Sequence, residues 1–326
     1  MNELENRIFR IGSSEDFEKL ALEVFYFQAK ENKVYKEYIS YLGINPSSVE
    51  ETLQIPFLPI EFFKNHKIYS SKSKAEIEFH SSGTGQTGRS KHYVAKRSMY
   101  EKSFMNCFNM FYGNPSEYCI LALLPSYLEQ KNSSLVYMTD YLIKESKNEL
   151  SGFYLNNFKD LNDRLLLLET KKQKAILLGV SYALLDFGEQ FQPVLKNTIL
   201  METGGMKGRR REMNKIEFHN TLKQLYNTEA INSEYGMTEL LSQSYSKGDN
   251  KYFSPPWKKV YARDLYDPLR TINSGRGGLN IIDLPNIYSC SFIATQDLGN
   301  VYEDGSFEVI GRYDNSEIRG CNLLVD

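Results

Sequence analysis

Tyr118-Cys119-Ile120-Leu121-Ala122-Leu123-Leu124 is an unbroken apolar run stopped by Pro125. A strand with one wet face alternates apolar and polar residues. An unbroken run instead predicts a strand covered on both faces, as in parallel sheets flanked by helices. Further buried strands are expected at Ala175 to Val180, Thr198 to Glu202 and Glu229 to Glu234, with a short one at Ala75 to Phe79. Helical patterns lie near 97 to 111, 159 to 170 and 208 to 226. Alternating strand and helix predicts a layered, largely parallel α/β sheet. Upstream, Phe17, Leu20, Ala21, Val24, Phe25, Gln28 and Ala29 fall at helical spacing, predicting a helix over 15–42 that Gly43 stops. From about residue 250 the pattern shifts to short alternating strands separated by Gly and Pro turns, such as Gly278 to Asp283 and Ser306 to Ile310. The expected organisation is therefore an α/β core over 1–250 and a small β subdomain over 251–326.

A chain of 326 residues has room for two packed units. Its net charge of −2 offers no global attraction for nucleic acid or an anionic membrane. No apolar stretch reaches the roughly 18 residues of a spanning helix, and the charged N-terminus carries no signal core. The four cysteines, Cys107, Cys119, Cys290 and Cys321, show neither metal-ligand nor disulfide-framework spacing, which fits a reducing cytoplasm. With four histidines, multi-histidine metal chemistry is not expected.

Chemistry concentrates in Phe79-His80-Ser81-Ser82-Gly83-Thr84-Gly85-Gln86-Thr87-Gly88-Arg89-Ser90-Lys91. No acidic residue falls between Glu78 and Glu101, whereas Arg89, Lys91, Lys96 and Arg97 do. Glycines bring backbone N–H groups close to an anion, hydroxyls donate, and cations neutralise charge, so the stretch suits a polyphosphate. Gly83-x-Gly85-x-x-Gly88 fits a dinucleotide fingerprint, yet the region roughly 20 residues on, Met105 to Met110, holds no acid for a ribose. Gly83-x-x-x-x-Gly88 begins a Walker loop, but Arg89-Ser90 stands where Lys then Ser or Thr is needed. A third pattern, S-S-G-T-x-x-T-G-x-x-K, fits from Ser81 to Lys91. A flexible polar hairpin is the ordinary alternative.

Other motifs follow predicted strands, where an α/β sheet binds its ligands. In Ser233-Glu234-Tyr235-Gly236-Met237-Thr238-Glu239, Tyr235 suits stacking on a purine, Thr238 a phosphate contact and Glu239 an oxygen ligand for Mg²⁺. Alternatively, Glu239 opens a helix as a dipole-complementing acid. Glu202-Thr203-Gly204-Gly205-Met206 offers a Gly-Gly pair that a flat ring can approach, or simply a tight turn. The basic run Lys207 to Arg211 reads as a solvated helix start. Asp297, expected at a strand end, suits ribose hydroxyls, and Gly311-Arg312-Tyr313-Asp314 places an Arg and an Asp at a turn.

In this order the motifs resemble those of the adenylate-forming superfamily of acyl- and aryl-CoA synthetases, luciferases and peptide-synthetase adenylation domains. Ser81–Lys91 is similar to its phosphate loop, Tyr235 to Glu239 to its Y-G-x-T-E motif, and Asp297 to its ribose-binding aspartate. Gly311 to Gly320 resembles its hinge, and Gly204-Gly205 its adenine-side loop. The short length, Leu124 to Glu129 with Ser133-Ser134-Leu135, and Arg319-Gly320-Cys321-Asn322-Leu323 resemble the LuxE-type acyl-protein synthetases within it.

The resemblance implies the large N-terminal domain of that fold, with the C-terminal lid domain absent because the chain stops at Asp326. It implies ATP and Mg²⁺ as cofactors and a carboxylic, fatty acid as substrate. Ser81, Ser82, Gly83, Thr84, Gly85, Thr87 and Gly88 would cradle phosphate, with Lys91, Glu239 and Arg312 catalytic and Cys321 carrying the acyl group to a reductase or carrier protein. The lid of larger members supplies a catalytic lysine, for which this chain offers no candidate. Two rival expectations remain: a ligase acylating CoA or a carrier without acyl-Cys321, and a non-catalytic nucleotide-binding module.

Overall fold

The computed structural model describes residues 2–70, 74–81, 88–124, 132–155, 157–204 and 213–312. Contacts divide the chain into one unit made of Met1–Ser71 with Pro256–Asp326, and another made of Lys72–Pro255. This division is not the linear one at residue 250, because the N-terminal helices pack with the C-terminal strands.

The first unit begins with α1 (Asn2–Ile8), α2 (Ser14–Glu31), α3 (Lys33–Tyr41), β1 (Leu58–Pro59) and α4 (Phe62–Asn65). The single helix expected over 15–42 is thus two helices that meet at Asn32. Asn32 has extended dihedrals (φ −89°, ψ 106°), and its side chain accepts from Tyr35 N at 3.1 Å to cap α3. The same amide donates to Ser289 O at 2.7 Å. Capping and a buried acceptor together outweigh helix continuity. One turn earlier, buried Gln28 donates to Asn286 O at 2.9 Å and accepts from Ser291 N at 3.0 Å. These bonds to residues near 290 join the two ends of the chain into one unit.

The second unit runs through β2 (Ile77–His80), β3 (Lys91–Val94), α5 (Arg97–Tyr112), β4 (Cys119–Leu123), α6 (Ser134–Ser146), β5 (Gly152–Tyr154) and α7 (Phe158–Thr170). It continues with β6 (Ala175–Val180), α8 (Ser181–Phe191), β7 (Thr198–Thr203), α9 (Lys215–Tyr226), β8 (Asn232–Tyr235) and β9 (Ser244–Ser246). The sheet order is β5-β4-β6-β7-β8-β9. Strands β5, β4, β6, β7 and β8 are parallel, and β9 runs antiparallel at the edge. Every residue of β4 and β6 is buried, as their unbroken apolar runs predict. Leu121, Leu177, Leu184, Leu200 and Leu222 share one core, each fully buried leucine worth about 1.5–3 kcal/mol. The sequence pattern does not mark helix α8, which continues directly from β6 and buries Tyr182, Ala183, Leu184, Leu185 and Phe187.

The chain returns to the first unit with β10 (Lys258–Arg263), β11 (Thr271–Ile272), β12 (Gly275–Asp283), β13 (Phe292–Val301) and β14 (Phe307–Arg312). Their order is β1-β13-β12-β10-β11, with β14 also on β13. Pairing here is antiparallel except for β1 on β13. Glycines allow the close strand approach: a Cβ at Gly277 would stand 2.2 Å from Arg263 O. No described helix is long and apolar enough to cross a membrane.

Candidate active site

Because β4, β6, β7 and β8 are parallel, their C-terminal residues Leu123, Val180, Thr203 and Tyr235 share one sheet edge. Ligands of open α/β sheets bind at that edge. The glycine-rich stretch is the connection of a separate hairpin, in which His80 pairs with Lys91 and Ile77 with Val94. Its base is closed twice: Ser81 N donates to Ser90 O at 3.1 Å, and Ser81 Oγ accepts from Ser90 N at 2.9 Å. Gly88 takes φ +83°, a left-handed conformation that favours glycine. Gly88, Arg89 and Lys91 are exposed, so both cations face solvent. Ser82, Gly83, Thr84, Gly85 and Thr87 lie outside the described residues.

His92, fully buried, connects this hairpin to the motif after β8. Its Nδ1 lies 2.8 Å from Thr238 O, and since a carbonyl only accepts, Nδ1 carries the donated proton. The β2–β3 hairpin and the Thr238-Glu239 turn are thereby fastened to each other within one unit. Gly236 follows Tyr235 where a Cβ would stand 2.3 Å from Glu234 Oε1. Glu234 in turn accepts from Thr203 Oγ1 at 2.5 Å across the strand ends. Met237 and Thr238 are half-buried, and Leu240 N donates to Met237 O at 3.1 Å, which tightens the turn. Glu239 is a buried carboxylate in that turn. No helix starts there, since β9 follows, so a helix-dipole role for Glu239 has no structural basis.

Among the described residues no cluster of three or more His, Cys, Asp and Glu is placed to hold a metal. Mg²⁺ commonly takes one or two carboxylates together with phosphate and water oxygens. As a buried carboxylate, Glu239 fits the protein's share of that donor set.

Gly204 directly follows β7 with φ +72°, and Ser181, first residue of α8, donates its hydroxyl to Gly204 O. Gly205 lies outside the described residues. Two residues before Gly204, the sequence pattern overlooked a buried charge. Glu202 is 5% exposed and pairs with Lys215 Nζ at 2.9 Å, with His219 Nε2 at 3.5 Å. Burial opposes its ionisation, but Lys215, His219 and Ser233 hold the carboxyl down at about 2. Burial likewise opposes charge on Lys215, and Glu202 overcomes it, raising the ammonium above its ordinary value. Lys215 also meets the Tyr252 hydroxyl and lies 4.5 Å from that ring's centroid. Tyr252 stands 5.6 Å from the Tyr235 ring. A glutamate within an otherwise apolar strand was the available signal, for such a charge demands a partner. Which cation answers it depends on the β7–α9 fold.

Asp297 and Arg312 belong to the other unit. Asp297 lies in the interior of β13, not at a strand end, because antiparallel pairing carries the strand on to Val301. It is the register partner of Arg312, whose Nε lies 3.4 Å from Asp297 Oδ1. The Asp297 side chain is 11% exposed and that of Arg312 72%. Cys107, Cys119 and Cys290 are buried thiols that form no disulfide. Burial raises the Cys290 thiol to about 12 and shifts Cys119 upward too. Cys321, Pro125 to Glu129 and Tyr313 to Gly320 lie outside the described residues.

The family described as acyl-protein synthetase, LuxE, matches residues 12–326. The chain belongs to that family. Among solved structures it is similar to the amide bond synthetase McbA from Marinactinospora thermotolerans, at 15% identity and a TM-score of 0.50, over 72% of this chain and 48% of that one. The N-terminal domain of FACL13 from Mycobacterium tuberculosis gives 12% and 0.51, over 74% and 62%. A long-chain-fatty-acid-CoA ligase, FadD1, from Archaeoglobus fulgidus gives 15% and 0.50, over 73% and 51%. At such identities the likeness establishes the fold, that of the N-terminal domain of adenylate-forming enzymes. The chain spans about half the length of the first of these structures. No curated protein sequence matches it.

Proposed function

We propose that the protein activates a fatty or other carboxylic acid with ATP and passes the acyl group through Cys321 to a partner protein. The observation that carries the reading is the joining of the Ser81–Lys91 hairpin to the Thr238-Glu239 turn through His92. Membership of an acyl-protein synthetase family supplies the reaction class.

In the first step a substrate carboxylate oxygen attacks the α-phosphorus of ATP. The bond from that phosphorus to the bridging oxygen breaks, and pyrophosphate leaves with the electron pair, giving acyl-AMP. Backbone N–H groups and hydroxyls of the Ser81–Lys91 loop orient the β- and γ-phosphates, while Lys91 and Arg89 offset their charge. Glu239 is the residue that would hold Mg²⁺, which when bound stabilises charge on the phosphoryl oxygens. Gly204 and Tyr235 line the base side. The family resemblance assigns Asp297 to the ribose hydroxyls and Arg312 to catalysis.

In the second step the Cys321 thiolate, its proton having passed to solvent, attacks the acyl carbonyl carbon. The bond from that carbon to the AMP oxygen breaks, leaving a thioester and free AMP. The inert burial of Cys107, Cys119 and Cys290 supports giving this role to the remaining cysteine. An acceptor protein, a reductase or carrier, then takes the acyl group from the thioester.

Pyrophosphate exchange into ATP, scanned across carboxylic acids, tests the first step, and exchange with fatty acids is the expected result. No exchange with any acid, with or without a candidate acceptor, would leave only a nucleotide-binding module. The Cys321→Ser variant tests the second step. Acyl-AMP formation is expected to persist while hydroxylamine-labile acyl-protein disappears, and label retained on that variant would sink the thioester.

A further inference from the structure

A buried network, used by none of the steps above, lies beside the base-side residues. Glu202 sits at the end of β7, and Lys215 opens α9, so their 2.9 Å pair ties together the two ends of the connecting segment. Asn214 caps that helix by accepting from Glu217 N at 2.9 Å, which fixes the position of Lys215. Lys215 then engages the Tyr252 hydroxyl and ring face, and the Tyr252 ring packs beside Tyr235. On the other side, Glu202 stands two residues before Gly204, whose carbonyl is held by Ser181. Each end of the network therefore finishes on a residue of the base side.

We infer that Glu202, Lys215 and Tyr252 are positioning residues that set the spacing between Gly204 and the Tyr235 ring, and so select the purine base. The inference rests on the reading of this sheet edge as a nucleotide site. Two physical points support a role beyond stability. A buried ion pair is commonly no more stabilising than apolar residues of the same volume, because desolvation offsets the attraction. Its distinctive contribution is directional: a fixed carboxylate, an ammonium and a hydroxyl permit one arrangement of the elements that carry them, whereas apolar packing permits several. Here those elements are β7, α9 and the segment carrying Tyr252.

The test is calorimetric titration of three ligands, Mg²⁺-ATP, Mg²⁺-GTP and inorganic tripolyphosphate, into the wild-type chain, Tyr252→Phe and the double variant Glu202→Gln/Lys215→Met. Tyr252→Phe keeps the ring and deletes the hydroxyl. The double variant removes both charges, so neither is stranded. Thermal melts of all three proteins accompany the titrations. Both variants are expected to bind ATP about tenfold more weakly, the size of one coupling within a shared network. Their GTP and tripolyphosphate affinities and melting temperatures should stay near those of the wild type, so selectivity for adenine falls. Unchanged ATP affinity in both variants overturns the inference, as does a parallel loss for all three ligands, which would mark a purely structural role. If the wild-type chain binds no ATP, the nucleotide reading of the edge itself fails and this inference falls with it.

Discussion

Two buried carboxylates, Glu202 in the parallel sheet and Asp297 in the antiparallel one, face the same electrostatic problem and meet it differently. Glu202 is paired with a lysine whose side chain is 23% exposed, inside a network that spans β7, β8 and α9. Asp297 meets an arginine from the neighbouring strand that is itself 72% exposed. The contrast follows from topology. A parallel sheet is covered by helices on both faces, so a charge at its strand end must find a partner among buried elements. An antiparallel sheet with a wet face can borrow an exposed cation from its neighbour. The first arrangement rigidifies its surroundings; the second leaves the arginine exposed to solvent.

The largest expected effect breaks the buried side of this comparison. Lys215→Met strands the Glu202 charge and should cost about 3–5 kcal/mol in urea denaturation, most of which Glu202→Gln/Lys215→Met should restore. A single variant as stable as the wild type would show that the pair is not the buried, ionised one described. The same pair carries a pH signature. A carboxyl held at about 2 in the folded protein, against an ordinary 4.5, contributes stability above 4.5 that is lost as pH falls towards 2. The wild type should therefore lose more denaturation free energy than the double variant between these pH values, and parallel curves would contradict this.

Next in size is His92→Phe, which deprives Thr238 O of its donor and should cost about 1–3 kcal/mol. Loss of pyrophosphate exchange beyond the loss of folded protein is also expected, since the hairpin and the Glu239 turn lose their joint. A variant with full exchange would separate these two elements functionally. The smallest effect belongs to the exposed side. Arg312→Gln should change stability by less than about 1 kcal/mol, because the arginine is itself open to solvent and its attraction for Asp297 is screened by salt. Were it to cost as much as Lys215→Met, the distinction between the two sheets would collapse.

Reading the sequence located the buried strands better than it located the joints. Strand β6 matches its apolar run residue for residue, and Tyr235 ends β8 as the strand-end motif requires. Apolar runs are legible because burial on both faces leaves no periodicity to misread. Asn32 was not legible as a helix break, since what decides it is an acceptor at Ser289, far along the chain. Asp297 was misplaced for a related reason: antiparallel partners on both sides carried β13 beyond it.

By itself, the sequence determined the parallel α/β core through its unbroken apolar runs, the glycine-rich loop from Ser81 to Lys91 through its composition, and the resemblance to the family through the order of its motifs. Only the tertiary structure decided that His92 joins that loop to Thr238, that residues 1–71 share a unit with the C-terminal strands, and that Lys215 answers Glu202. Each of those depends on partners brought together by folding, and burial makes the choice of partner compulsory without recording it in neighbouring residues.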